Sequence, residues 1–180
     1  MEYGDYEKET SLPHFEKLKL RKKARKLGIE PQFKFDDLYI TIFNEKRVYM
    51  PDGRTYYVPL KKNLTPTGIE VFDEFLQLLA DGDQNTAYFC KIRGMRQSDL
   101  NALCFVLTGL EARVFRTRWL TYRIYELLRF TDMEIRKVAK VSGAGSGVNL
   151  CFACKRDFDD PPYLVRYIHS IGNDVGRYRL

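Results

Sequence analysis

Two short stretches 49 positions apart follow one plan, and that duplication constrains the fold more than any other feature of the chain. Phe89, Cys90, Lys91, Ile92, Arg93 and Gly94 run apolar, small, Lys, apolar, polar, Gly; Val138, Ala139, Lys140, Val141, Ser142 and Gly143 run the same way. A small residue four places before a glycine suits a tight helix-turn-helix. The small side chain lets the next helix cross closely, and the glycine accepts the chain reversal. A second helix is expected after each glycine. Leu100, Leu103, Cys104 and Leu107 fall at i, i+3, i+4, i+7, and Leu150, Ala153, Cys154 and Phe158 at i, i+3, i+4, i+8. Both are the apolar stripe of a half-buried helix. Ser146 is placed to cap the second of them.

Between the two stretches, residues 113–132 read as one long amphipathic helix. Leu120, Ile124, Leu127 and Leu128 make its stripe, and Arg113, Arg116, Arg118, Arg123 and Arg129 decorate it. Upstream, Thr67 and Glu70 have the spacing of a capping box. Phe72, Phe75, Leu76, Leu79 and Ala80 then repeat with helical period, and Asp81, Gly82 and Asp83 end that helix. No further oxygen ligands follow this acidic pair at the calcium-loop spacing, so it reads as a turn. Thr131 and Glu134 predict a second capping box.

The N-terminal third differs. Positions 17–26 hold seven Lys or Arg, within a stretch 14–27 that reads either as a solvated basic helix or as a phosphate-contacting arm. Residues 33–43 alternate apolar and polar around Leu38, Ile40 and Ile42 and predict a strand. Residues 46–50 and 55–58 predict two more, joined by the turn Pro51, Asp52, Gly53, Arg54. The expected fold is mainly α, α+β overall: two helix-turn-helix units joined by a long connecting helix, with a small N-terminal antiparallel β-meander packed on the helices. The expected segments are 1–30, a polar start and basic helical arm; 31–62, the meander; 63–170, the double helix-turn-helix domain; and 171–180, a basic tail. That tail is expected to fold back on the second unit or to make another phosphate contact.

A formal charge of +6 and a pI near 9.1 favour a polyanionic partner. No run of about 18 apolar residues occurs, so no membrane span is expected. The N-terminus is acidic and polar, unlike a secretory leader, and a cytoplasmic location with reduced Cys90, Cys104, Cys151 and Cys154 is expected. Cys104 and Cys154 fall at core positions by periodicity. Cys151 and Cys154 lack a second close-spaced pair, so no metal site is expected. Gly143, Gly145 and Gly147 lack the preceding strand of a nucleotide loop. The two histidines, His14 and His169, read as surface residues, and no nucleophile has a base and oxyanion signature near it. No enzyme activity and no cofactor are expected.

Residues from about 67 to 168 resemble the DNA-binding domain of AraC/XylS-type bacterial transcription regulators. The resemblance rests on Gly94-Met95, Asp99-Leu100, Leu107-Thr108-Gly109 and the helix 115–128. In the second unit it rests on Ile135, Val138, Ala139, Gly143, Lys155-Arg156, Phe158, Pro161-Pro162 and Arg166. It implies a bacterial regulator whose paired second helices enter successive major grooves of duplex DNA. Carried over by position, the base-facing residues are Gln97, Ser98, Asn101 and Ala102 in the first unit and Gly147, Val148, Asn149 and Phe152 in the second. Arg93, Arg96, Arg116, Arg118, Lys155 and Arg156 would anchor phosphates. No small-molecule effector domain is recognised in residues 1–62. The chain departs from the family pattern at Phe105, Val106, Ala144, Phe152 and Asp159. The apolar Phe105, Val106 and Phe152 leave a second expectation open: a degenerate domain that binds a protein partner or forms a homodimer, unless the meander covers them.

Overall fold

The computed structural model describes residues 28, 30–82, 85–170 and 175–180, so the basic stretch 14–27 lies outside the described residues. It is mainly helical with one small antiparallel sheet. The elements in order are α1 (Phe35–Leu38), β1 (Glu45–Tyr49), β2 (Thr55–Pro59), α2 (Glu70–Ala80), α3 (Thr86–Ile92), α4 (Gln97–Thr108), α5 (Ala112–Phe130), α6 (Ile135–Val141), α7 (Gly147–Phe158), α8 (Pro162–Ser170) and β3 (Tyr178–Arg179). The chain divides into two compact units. The first takes the described residues through Ile40 together with 64–119; the second takes 41–63 and 120–180. The boundary falls inside α5, so the predicted connecting helix gives one half to each unit.

Phe115 organises the first unit. Its ring lies 5.0 Å from Phe35, 6.0 Å from Phe72, 6.3 Å from Phe75 and 6.0 Å from Trp119. Each fully buried ring or branched side chain contributes about 1.5–3 kcal/mol of transfer free energy. Leu100, Cys104 and Leu107 close this core from α4, as their helical spacing predicts. In the second unit the equivalent places are taken by Val138, Ala139, Leu150, Ala153 and Cys154, with Ile124 and Leu128 from α5. The repeat also reaches further upstream: buried Phe75 and Leu79 of α2 stand 49 positions before buried Ile124 and Leu128.

The sheet has the order β2-β1-β3 and belongs to the second unit. The predicted hairpin is present: Glu45 pairs with Pro59 and Tyr49 with Thr55. Gly53 supplies the turn with φ of 82°. The predicted strand at 33–43 is not a strand. Phe35 and Leu38 are buried one helical turn apart in α1, and Asp36 and Asp37 sit in its first turn, where carboxylates complement the helix dipole. Ile40 and Phe43 are buried without a ladder. The third strand comes instead from the C-terminal tail, where Tyr178 pairs with Lys46. Tyr178 stacks on Phe43 at 5.4 Å and meets Phe130 edge-to-face at 4.9 Å, and the Tyr57 hydroxyl donates to the Gly176 carbonyl at 2.6 Å.

Neither predicted capping box forms. Gly68 has φ of 69°, which a helix cannot hold, so α2 starts after Ile69. Thr67 instead donates its hydroxyl and its backbone N–H to buried Asp73 at 2.7 and 3.0 Å. Thr131 serves the preceding helix, donating to the Leu127 carbonyl at 2.6 Å in the i−4 back-bond open to threonine. His169, expected at the surface, is only partly exposed. It is half-buried, 5.1 Å from the Tyr125 ring and 6.4 Å from Phe158. Burial, with Arg129 nearby, holds its pKa below the usual range.

Asp159 ends α7 with φ of 61°, and it is the one non-glycine with positive φ among the described residues. Gly109 ends α4 in the same conformation, with φ of 72°. A side chain in this region costs about 1 kcal/mol that glycine does not incur. Asp159→Gly should therefore raise the unfolding free energy by about 1 kcal/mol in denaturant titration. A loss of stability would show that the aspartate side chain is itself required.

Candidate nucleic-acid interface

In the first unit, Asn85 opens α3 by accepting the Tyr88 N–H at 3.0 Å. Buried Cys90 sits where α3 meets the next helix, and Gly94 reverses the chain with φ of 60°. Nothing lies within 4 Å of a Cβ built there, so the conformation rather than space calls for glycine. The Met95 N–H returns to the Cys90 carbonyl at 3.0 Å. Asp99 accepts the Arg96 backbone N–H at 3.0 Å and secures the first turn of α4. The outer face of α4 then shows Gln97, Ser98, Ala102 and Val106, with Asn101 and Phe105 half-buried beside them.

The second unit repeats this geometry with a longer turn. Gly143 and Gly145 both take positive φ, at 90° and 80°. The Gly145 N–H returns to the Ala139 carbonyl at 2.8 Å. Ser142 is fully buried, and its hydroxyl accepts the Ala144 N–H at 3.3 Å. Ser146 caps α7 as predicted, accepting the Asn149 N–H at 3.2 Å. The Asn149 side chain donates to the Ala144 carbonyl at 3.0 Å, so its amide braces the turn.

The extra turn residue changes the register of the repeat. Before the turn equivalent residues differ by 49 positions; after it α4 starts at Gln97 and α7 at Gly147, a difference of 50. Gln97, Ser98, Asn101 and Ala102 thus correspond to Gly147, Val148, Cys151 and Phe152. Asn149 corresponds to Asp99, which in both units serves the helix start. Cys151, exposed, takes the place that Asn149 was expected to fill. The signal was present in the sequence as the three-residue spacing of Gly143, Gly145 and Ser146 against Gly94 and Arg96. Val148 is 64% exposed and Phe152 71%, so no described residue covers them.

The side chains expected to hold phosphate have partners already. Arg93 pairs with Glu74, and Arg96 with Asp99 at 3.0 Å, which holds the Asp99 carboxyl below the usual range. Arg116 donates to the Thr86 hydroxyl at 3.4 Å. Arg118 lies 4.8 Å over the Phe35 ring. Lys155 donates to the Asp159 carbonyl at 3.3 Å, and Arg156 binds Asp157 through two bonds of 2.8 and 2.7 Å. Asp157 also accepts from Thr121. The exposed pairs among these, Arg96 with Asp99 and Arg156 with Asp157, are worth little in water. Sequence reasoning missed four exposed cations on the first helices of the pairs: Lys91 on α3, and Arg136, Lys137 and Lys140 on α6. Lys91 and Lys140 were in view as the shared lysine of the repeat.

Among the described residues no group of His, Cys, Asp and Glu could hold a metal ion. No described helix is long and apolar enough to cross a membrane. Comparison of the chain with protein-family models, with curated proteins and with solved structures finds no match.

Burial pushes the Cys104 and Cys154 thiols up to about 12 and raises Cys90. The thiolate is the reactive form, so these three react slowly at neutral pH. A maleimide should modify Cys151 first in the native chain, as mass spectrometry of peptides would show. Fast labelling of Cys104 or Cys154 would contradict the burial of α4 and α7 against their cores.

Proposed function

We propose that the chain is a DNA-binding transcription regulator of the AraC/XylS type, with α4 and α7 each reading its own half-site in a major groove. The observation that carries this reading is the duplication itself. Two units repeat one helix, glycine turn and helix geometry, and each leaves the outer face of a 12-residue second helix exposed. A helix of that size fits the major groove, and its first turns meet base edges. In the first unit Gln97, Ser98 and Asn101 supply amides and a hydroxyl at those turns. The Asn101 amide has no hydrogen-bond partner among the described residues and is available for adenine. Exposed Lys91 in the first unit, and Arg136, Lys137, Lys140, Lys155 and Arg156 in the second, give each unit positive charge of the kind that binds duplex DNA. No catalytic role or cofactor belongs to this reading, and the chain acts where bacterial DNA lies, in the cytoplasm.

A second reading has its own observation. Val106, Val148 and Phe152 are exposed apolar side chains at 47%, 64% and 71%. A degenerate domain that binds a protein, or a second copy of itself, would use such groups.

Selection from a random duplex library separates the two. The regulator enriches a motif with two preferred half-sites. Asn101→Ala should then relax preference at one base position by about 1–3 kcal/mol, and Gln97→Ala at a neighbouring one. Arg116→Ala and Arg156→Ala should weaken all duplexes alike. An interaction module would enrich no motif, and these substitutions would change nothing.

A further inference from the structure

The second unit presents a face unlike the first. At its reading positions stand Gly147, Val148, Cys151 and Phe152, and none carries a strong hydrogen-bonding group. Asn149, the one amide nearby, is committed to the Ala144 carbonyl at 3.0 Å. Val148 and Phe152 stand one helical turn apart and are the exposed large apolar side chains of α7. An apolar spot of this kind ordinarily asks for an apolar partner. Its surroundings ask for something else. The span 135–170 holds six Lys or Arg against three Asp, and Arg136, Lys137, Lys140, Lys155 and Arg156 are all exposed. The cores of protein interfaces are depleted in such charges, because burying them is costly. A partner that is strongly anionic and also displays small apolar groups satisfies both features. Duplex DNA does so through the thymine C5 methyl, which projects into the major groove.

We propose that α7 reads thymine methyl groups through Val148 and Phe152, selecting its half-site by methyl position rather than by hydrogen bonds. This inference rests on the DNA-binding reading above. It carries a corollary for chemically modified DNA. Cytosine methylated at C5 bears its methyl at the same ring position, so it substitutes for thymine at this half-site.

The test uses the full chain and the duplex selected from the library, with binding followed by fluorescence anisotropy. The half-site read by α7 is the one whose preference Asn101→Ala leaves unchanged. Deoxyuridine, which lacks only the methyl, replaces thymine there one position at a time. Each contacted methyl removed should lower affinity about fourfold, the value of one buried methyl-sized group. The same replacement should cost Phe152→Ala nothing more at the position Phe152 contacts. Phe152 is exposed, so its truncation leaves the core intact, and circular dichroism checks this. Replacing the contacted thymine by cytosine should weaken binding, and 5-methylcytosine should restore most of the loss. If deoxyuridine is tolerated throughout that half-site while the motif and salt-dependent binding persist, the methyl reading is overturned and the DNA reading stands. If no duplex binds, both fall. Sedimentation as a dimer that Phe152→Ala dissociates would then assign the face to contact between copies.

Discussion

The cores of both described units depend on the burial of the two halves of α5. Phe115 and Trp119 fill the first unit, and Ile124, Leu127, Leu128 and Phe130 the second, all fully or almost fully buried. That requirement also settles the fate of the helix's arginines. Arg118 covers Phe35, Arg129 lies over Tyr125 and Phe130 at 5.6 and 4.9 Å, and Arg123 is only 4% exposed. Their stems and planar heads act as packing material. Much of the basic character of this helix therefore stabilises the fold. Among the described residues of the two helix pairs, the solvent-exposed cations Lys91, Arg136, Lys137, Lys140, Lys155 and Arg156 lie on α3, α6 and α7.

The two units share a plan but differ in chemistry, and one inserted residue accounts for much of the difference. The turn of the second unit holds Gly143, Ala144, Gly145 and Ser146, where the first has Gly94, Met95 and Arg96. Ser146 caps α7 with its hydroxyl, whereas α4 is held by Asp99 reaching back to Arg96. The insertion moves Asn149 into the bracing position and brings Cys151 to the face. The exposed face of α4 thus carries amides, and that of α7 offers aromatic and aliphatic surface. On duplex DNA these are complementary means of discrimination: hydrogen bonds for adenine and guanine edges, van der Waals contact for methyl groups.

How much of this was legible in the sequence follows from which forces are local. The helices were legible because their apolar residues repeat with the helical period, and the hairpin because Pro51 to Arg54 can do little except turn. Segment 33–43 was misread because two periods coincide in it: Phe35 and Leu38 suit a helical turn, while Leu38, Ile40 and Ile42 alternate. The third strand was invisible because Tyr178 pairs with Lys46 across most of the chain. The caps were misplaced because Gly68, inside the first four-residue pattern, takes a positive φ that delays the helix, and because Leu127, outside the second, draws the Thr131 hydroxyl to the preceding helix. At the candidate interface the second helix of each unit was legible along the chain. Asn149 was taken as a base-facing residue for its amide, whereas the position equivalent to Asn101 after the turn is Cys151.

The most direct measurement is equilibrium titration of the full chain with its selected duplex and with an unrelated duplex, from about 50 to 200 mM salt, the range over which counterion release dominates. A regulator with two working readers gives a steep linear fall of log affinity with log salt on both duplexes, and a constant margin in favour of the selected one. Absence of binding to either duplex at the lowest salt would contradict it.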